Sequence, residues 1–180
     1  MNSFSFTIPQ NIVVGAGSLK RLPELAKNLK KSKAYIISGP HLEKIGMVDK
    51  CREALKAAGI ESDAFTQTEG NPSTDTVAKA AKGFKSSKAD FIVAIGGGSS
   101  MDTAKAIGII IENPEFSDVI SLEGVAPTTK KAVPIIAVPT TAGTAAEVTI
   151  NYVITDTEKN RKMVCVDVHD IPVVAVVDPE

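Results

Sequence analysis

Two turns rich in glycine and threonine hold the residues best suited to bind a phosphorylated ligand. The first turn, residues 96–105 (GGGSSMDTAK), follows the apolar run FIVAI at residues 91–95. The second turn, residues 139–147 (PTTAGTAAE), follows the apolar run PIIAV at residues 134–138. Turns at the carboxyl ends of buried parallel strands are where open α/β sheets bind phosphates. One such turn is a weak signal, but this pair, about forty residues apart, indicates a dinucleotide site.

The first turn has the features of a phosphate cradle followed by a helix. Its glycines carry no Cβ, so a phosphate can approach the backbone amides of Gly97 and Gly98 closely. We predict that Ser99 is the helix N-cap and that Asp102 occupies the capping-box position, and we count both among the cofactor-binding residues. The helix N-terminus then presents unpaired N–H groups to an anion. A tight strand-to-helix turn without a ligand uses similar residues, and Met101 stands where the G-x-G-x-x-G fingerprint has its third glycine.

The second turn offers hydroxyl groups in place of glycine amides. Thr140, Thr141 and Thr144 surround Gly143, and their side chains can hydrogen-bond a ribose, a pyrophosphate or a nicotinamide amide. Taken alone, the segment equally fits a turn whose hydroxyls cap a short helix. Beside the first turn, the binding interpretation is favoured.

Alternating strand and helix patterns predict the scaffold that positions these turns. They predict a parallel sheet with helices on both faces and all β–α turns along one edge. The predicted strands are residues 4–8, 11–14, 34–37, 60–65, 91–95, 134–138 and 173–178. The predicted helices are residues 19–29, 45–58, 74–84 and 101–111. Residues 148–154 and 162–166 are predicted to form a β-hairpin.

Length and composition limit the function classes. The 180 residues, 43% of them hydrophobic, suffice for one domain spanning residues 1–180. A net charge of −1, 4% aromatic residues and no tryptophan disfavour a nucleic-acid surface. The chain shows neither a signal peptide nor an apolar run of transmembrane length, so we expect a cytoplasmic protein that binds no membrane.

The histidines and cysteines show no metal-ligand spacing. His41 and His169 each lie in a segment typical of a turn or a helix cap. Cys51 and Cys165 fall in patterns typical of the core, and we expect free thiols in a reducing compartment.

The paired turns resemble the nucleotide-binding half of the iron-containing (group III) alcohol dehydrogenases. The resemblance covers essentially the whole chain and is clearest at residues 97–106, 113–124, 139–149, 151–156 and 161–167. The later stretches are most similar to the lactaldehyde reductase (propanediol oxidoreductase) and butanol dehydrogenase subgroups. The resemblance implies a Rossmann-like parallel sheet with a β-hairpin, as in dehydroquinate-synthase-like N-terminal domains, and NAD or NADP as cofactor. It also implies that the complete enzyme interconverts a small primary alcohol or diol and its aldehyde.

The resemblance assigns further residues to parts of the cofactor. It implies that Asn71 contacts the adenosine side and that Asn151 and Lys162 lie near the nicotinamide ribose. Many family members have an aspartate at the position of Gly39, where it binds the ribose 2′-hydroxyl and repels a 2′-phosphate. Without that carboxylate, the choice between NAD and NADP stays open. Without the resemblance, Gly39 and Asn71 are ordinary turn residues and Lys162 is a solvated residue beside a hairpin turn.

In the family, the catalytic metal, iron or zinc, is held by an aspartate and three histidines in an all-helical C-terminal domain. That segment would follow residues 173–178, so we assign no metal ligand and no catalytic residue to these 180 residues. We expect the chain alone to bind cofactor without turnover, and to form a homodimer through its N-terminal strand.

Two alternatives remain open. One is a stand-alone NAD(P)-binding module without catalysis, either regulatory or partnered by a separate metal-binding subunit. The other is a relative of glycerol dehydrogenase or dehydroquinate synthase, groups that match the first turn but are less similar at residues 141–147.

Overall fold

The computed structural model describes residues 5–180. The strands are β1 Asn11–Val14, β2 Lys33–Ile37, β3 Glu61–Phe65, β4 Phe91–Gly96, β5 Gly124–Val125, β6 Ile135–Pro139, β7 Asn151–Asp156, β8 Arg161–Val166 and β9 Val174–Val177. The α-helices are α1 Leu22–Asn28, α2 Pro40–Lys44, α3 Met47–Ala57, α4 Thr74–Ser87 and α5 Gly98–Glu112. Short 3-10 helices lie at Ser18–Arg21, Pro114–Phe116 and Val119–Leu122. Within the described residues, no helix is both long enough and apolar enough to cross a membrane.

A six-stranded parallel sheet forms the centre of the fold. Its strand order is β1-β9-β6-β4-β2-β3, and each neighbouring pair is parallel. Helices cover both faces, so the predicted α/β class and the predicted single edge of β–α turns are confirmed. Strand β4 is buried along its whole length because it lies between two strands and two helical layers, which explains its uninterrupted apolar run.

The side chains of β4 divide the core into two layers. Phe91, Val93 and Ile95 pack with residues of α1 and α3 on one face of the sheet. Ile92 and Ala94 pack with residues of α4 and α5 on the other face.

A second sheet has the order β5-β8-β7 and contains the predicted hairpin. Strands β7 and β8 are antiparallel, and β5 pairs with β8 in parallel. Tyr152, Ile154 and Met163 point to one side of the hairpin and join the core layer that contains α5. The hairpin therefore packs on the helix that follows the first turn, and its other face remains exposed or half-buried.

The predicted helix over residues 45–58 is confirmed as α3, which begins two residues later than predicted, at Met47. A separate short helix, α2, ends at Lys44, and Gly46 lies between the two. Gly46 adopts φ 79°, a left-handed conformation that glycine tolerates and that interrupts a right-handed helix. The early helix α2 matters for the site, because it places Gly39 at a helix N-terminus.

The predicted strand over residues 4–8 is not found where the structure can test it. Phe4 lies outside the described residues, and residues 5–8 form no strand. Phe6 is 82% exposed and Ile8 is 49% exposed, so these apolar side chains gain no burial that would fix an extended segment. The homodimer through this segment stays a prediction.

The cysteines and histidines take structural positions. Cys51 and Cys165 are buried free thiols, as predicted. His41 lies in the first turn of α2, and His169 lies in a turn where its Nδ1 is 2.9 Å from Thr128 Oγ1.

Gly83→Ala is expected to destabilise the fold although alanine is the better helix former. Gly83 lies inside α4, and a Cβ built there falls 2.0 Å from the hydroxyl oxygen of Tyr35. Tyr35 is buried and its ring meets Phe84 edge-on, with centroids 5.7 Å apart, so it has little room to move. Overpacking of this kind costs about 1–3 kcal/mol, more than the ~1 kcal/mol that alanine gains over glycine in a helix. Urea unfolding measures the difference.

Tyr35→Phe provides the matched control, because it removes the oxygen that the new methyl group meets. In the Tyr35→Phe background, Gly83→Ala should cost much less free energy of unfolding than in the wild type. If Gly83→Ala is neutral or stabilising on its own, the close approach of α4 to β2 described here is incorrect.

Candidate functional site

The two predicted turns lie side by side at the carboxyl edge of the large sheet. Strands β4 and β6 are neighbours, and their last residues, Gly96 and Pro139, are register partners. The N–H of Thr140 donates to the carbonyl oxygen of Gly96 over 2.9 Å. The predicted association of the glycine-rich turn with the threonine-rich turn is therefore a direct contact.

The threonines pack closely against the glycines. A Cβ built on Gly97 lies 3.1 Å from Thr141 Oγ1, and one built on Gly98 lies 3.1 Å from Thr144 Cγ2. These separations are tighter than ordinary contacts, so a side chain at either glycine would require the facing threonine to shift. Hydroxyls and backbone amides together suit a phosphate or a sugar diol.

The helix after the first turn begins earlier than predicted. Helix α5 starts at Gly98, with Gly97 as its N-cap in an extended conformation (φ −79°, ψ −170°). The predicted N-cap role of Ser99 and the capping-box role of Asp102 are wrong, because the glycine backbone reaches the capping conformation without a side chain. Within residues 5–180, no side chain caps this helix. Its first amides and the positive end of its dipole thus remain available to an anion.

The site lies at a topological switch point of the sheet. Strand β2 leads through α2 and α3 to β3 on one side, whereas β4 leads through α5 to β6 on the other. A crevice opens between the carboxyl ends of two strands whose connections diverge in this way. Ser38 joins the two ends, because its hydroxyl donates to the carbonyl oxygen of Ile95 over 2.9 Å.

Gly39 lies on the opposite side of this crevice from the glycine-rich turn. It is the N-cap of α2, with φ −100° and ψ 162°, and no side chain among residues 5–180 caps that helix. A Cβ built on Gly39 lies 3.2 Å from the carbonyl oxygen of Thr68. The position therefore suits glycine and admits a larger residue only after a small shift of the backbone around Thr68.

Asn71 connects the loop after β3 to the first turn of α5. It has a left-handed backbone (φ 58°), and its N–H donates to Ser99 Oγ over 3.3 Å. Its carbonyl oxygen accepts from Thr155 Oγ1 of the hairpin over 3.3 Å. Asn71 and Lys162 both line a pocket of about 400 Å³ beside these contacts.

Asn151 and Lys162 lie at opposite ends of the hairpin. In the register of the hairpin, Asn151 pairs with Val166, whereas Lys162 pairs with Thr155. Four residues of strand separate the two positions, roughly 13 Å at the usual rise. Both side chains are exposed. The structure therefore places them on the same sheet but does not bring them together.

A cleft of about 560 Å³ adjoins the second turn. Thr140 and Thr141 line it together with Leu42 of α2, and its floor is formed by the ends of β6 and β9 at Val138 and Val177. This volume lies in the usual range for small-molecule and cofactor sites, which is about 300–1,000 Å³. The cleft lies at the carboxyl edge of the sheet, as a site formed by the two turns requires.

Asp102 faces the hairpin. Its carboxylate lies near the backbone amide of Val153 in β7. Burial raises the pKa of Asp102 to about 6, and the Val153 amide and the nearby Lys105 oppose this rise. A direct contact of Asp102 with a cofactor stays a prediction.

The sequence analysis missed a fully buried pair of charged residues behind the site. Lys105 of α5 and Asp170 have no exposed surface. Burial lowers the pKa of Lys105 and raises the pKa of Asp170, and the attraction between the two charges opposes both shifts. The signal was available, because Lys105 lies four residues after Met101 and three before Gly108, on the face of the helix predicted to be apolar.

The described residues offer no metal centre. Across residues 5–180, no three His, Cys, Asp or Glu side chains converge as metal ligands. The glycine cradle and the uncapped helix, by contrast, fit the phosphates of a dinucleotide.

Comparison with known proteins agrees with this geometry. The family model described as iron-containing alcohol dehydrogenase matches residues 9–179. Lactaldehyde reductase of Escherichia coli K12 is 51% identical over 92% of this chain and 44% of its own length. The NADPH-dependent butanol dehydrogenase of Clostridium saccharobutylicum is 41% identical over 97% of this chain and 45% of its own length.

The fold has the same relatives. A crystal structure of 1,3-propanediol oxidoreductase superposes with a TM-score of 0.93 and 35% identity, over 99% of this chain and 46% of that one. The chain thus spans a little under half the length of the proteins that it matches.

Proposed function

This chain belongs to the iron-containing alcohol dehydrogenase family, and we propose that it is the NAD(P)-binding half of an enzyme that interconverts a small primary alcohol or diol and its aldehyde. The predicted resemblance to this family, including the lactaldehyde reductase and butanol dehydrogenase subgroups, is confirmed. The observation that carries the proposal is the close packing of Gly97 and Gly98 against Thr141 and Thr144 at the switch point of the sheet.

The first turn is proposed to bind the pyrophosphate. The amides of Gly97, Gly98 and Ser99 lie at the start of α5, where the helix dipole favours a negative charge. Thr141 and Thr144 lie close enough to the same backbone to donate to the phosphate oxygens or to the adjoining ribose.

The two ends of the dinucleotide are proposed to lie on either side of that turn. Gly39 and Asn71 follow β2 and β3 and would hold the adenosine ribose. Asn151 at the start of β7 would hold the nicotinamide ribose. Lys162 lies at the far end of the hairpin from Asn151 and lines the same pocket as Asn71. We therefore propose that its ammonium group pairs with a phosphate of the dinucleotide.

Hydride transfer is supplied by the nicotinamide ring of the bound cofactor. The residues of this chain bind and orient that cofactor. The described residues do not form a metal site. We propose that the iron or zinc implied by the family is bound by the part of the enzyme that this chain does not cover, and that the 180 residues alone bind cofactor without turnover.

Calorimetric titration of the 180-residue chain with NAD, NADP and ADP-ribose, without added metal, tests the proposal. We expect binding of each with a 1:1 stoichiometry and no alcohol oxidation by the same sample. ADP-ribose isolates the part of the ligand that touches the two turns. If none of the three ligands binds at millimolar concentration, the proposed site is wrong.

A further inference from the structure

The ammonium group of Lys105 is held inside the protein by backbone carbonyls. Its Nζ donates to the carbonyl oxygen of Thr149 over 2.5 Å and to that of Asn151 over 2.9 Å. Thr149 Oγ1 lies 3.4 Å away. Asp170 Oδ1, at 4.0 Å, balances the charge without a close hydrogen bond.

This arrangement costs more than an apolar side chain in the same place. Taking an ammonium and a carboxylate out of water costs several kcal/mol per ion, and an apolar pair of similar volume is often as stable. Both carboxylate oxygens of Asp170 lack a hydrogen-bond partner among residues 5–180. Stability alone therefore gives little reason for a lysine on this face of α5.

Lys105 connects the helix that follows the first turn to the start of β7. It projects from α5, which begins at the glycine-rich turn, and it donates hydrogen bonds to the segment between the threonine-rich turn and β7. Thr149 and Asn151 are alternate residues, and both of their carbonyl oxygens accept from the same ammonium group, so the start of β7 is attached to α5 through Lys105.

We propose that Lys105 is a positioning residue that holds the Asn151 backbone so that the Asn151 side chain meets the nicotinamide half of the dinucleotide. The inference rests on the proposed function, which places the nicotinamide ribose at Asn151. Lys105 itself is fully buried, so it is proposed to act through the backbone that it holds.

Lys105→Met tests the proposal by calorimetry with NAD and ADP-ribose, because methionine keeps an unbranched side chain, only one atom shorter than lysine, and removes the charge. We expect the Kd of NAD to rise about tenfold, the loss of one well-placed polar contact, and the Kd of ADP-ribose to change less than about twofold. Equal weakening of both ligands would overturn the proposal, since it would indicate a general structural role.

Asn151→Ala supplies the second readout. If Lys105 acts through Asn151, then Lys105→Met should weaken NAD binding no further in the Asn151→Ala background. Additive losses would contradict the inference. The inference is also contradicted if the wild-type protein binds NAD no more tightly than ADP-ribose. In that case the nicotinamide half adds no affinity, and Asn151 has no contact with it that Lys105 could position.

Lys105→Met leaves the Asp170 carboxylate buried without a counter-charge. A double variant, Lys105→Met with Asp170→Asn, removes both charges and serves as the control. The double variant should fold and show the same selective loss of NAD affinity. If the wild-type protein binds neither NAD nor ADP-ribose, the proposed function itself is refuted. If it binds both but the double variant keeps full NAD affinity, only the role of Lys105 is refuted.

Discussion

Gly98→Val is expected to weaken the binding of NAD, NADP and ADP-ribose by roughly a hundredfold or more. A Cβ at this position already meets Thr144 Cγ2 at 3.1 Å and Thr144 Oγ1 at 3.2 Å, and valine adds two further methyl groups. The branched side chain would fill the space in which a phosphate approaches the first amides of α5. Calorimetric titration of the three ligands measures the loss.

Thr144→Ala distinguishes blocking of the phosphate from displacement of the threonine turn. On its own, this substitution removes one hydroxyl and should weaken binding only by about tenfold. Combined with Gly98→Val, it relieves the contact with the threonine but leaves the phosphate position filled, so affinity should stay low. Recovery of binding in the double variant would mean that the glycine serves only to pack against Thr144.

Gly39→Asp is expected to turn the chain into a strongly NAD-selective binder. Gly39 is the N-cap of α2, a position that favours aspartate, and its Cβ would lie 3.2 Å from the Thr68 carbonyl oxygen. A carboxylate here can accept from the ribose 2′-hydroxyl of NAD, whereas it repels the 2′-phosphate of NADP. At the effective dielectric constants of protein surfaces, this repulsion corresponds to about tenfold or more in the Kd of NADP. The ratio of the NADP and NAD dissociation constants is the quantity to measure.

Gly39→Asn is the matched control, because asparagine has nearly the same shape and capping ability but no charge. It should leave the NADP to NAD ratio close to that of the wild type. Should the two variants show the same ratio, the adenosine ribose does not lie at Gly39.

Much of the scaffold was predictable from the sequence because it depends on local patterns. Strand β4 has an uninterrupted apolar run, and its burial between two strands and two helical layers follows from that run. The adjacency of the two turns was predictable for a similar reason, because parallel strands with short β–α loops bring their carboxyl ends to one edge. The start of α3 was predicted two residues too early, because the left-handed backbone of Gly46 does not change the apolar periodicity around it.

The details of the site depend on contacts that the sequence does not display. Ser99 was predicted as a cap from its residue type, but the two preceding glycines start the helix with backbone conformation alone. The burial of Lys105 depends on carbonyls at Thr149 and Asn151, more than forty residues away along the chain. The separation of Asn151 from Lys162 depends on the hairpin register, which only strand pairing determines.

Chemical-shift mapping of the amide-labelled chain with ADP-ribose tests most directly whether the two turns form one dinucleotide site. The account predicts that the amides of Gly97, Gly98 and Ser99 and those of Thr141 and Thr144 shift together and saturate with one dissociation constant. Gly39 and Asn71 should shift in the same titration, because they are proposed to hold the adenosine ribose. Shifts confined to another part of the surface, or to one turn alone, would contradict the central claim.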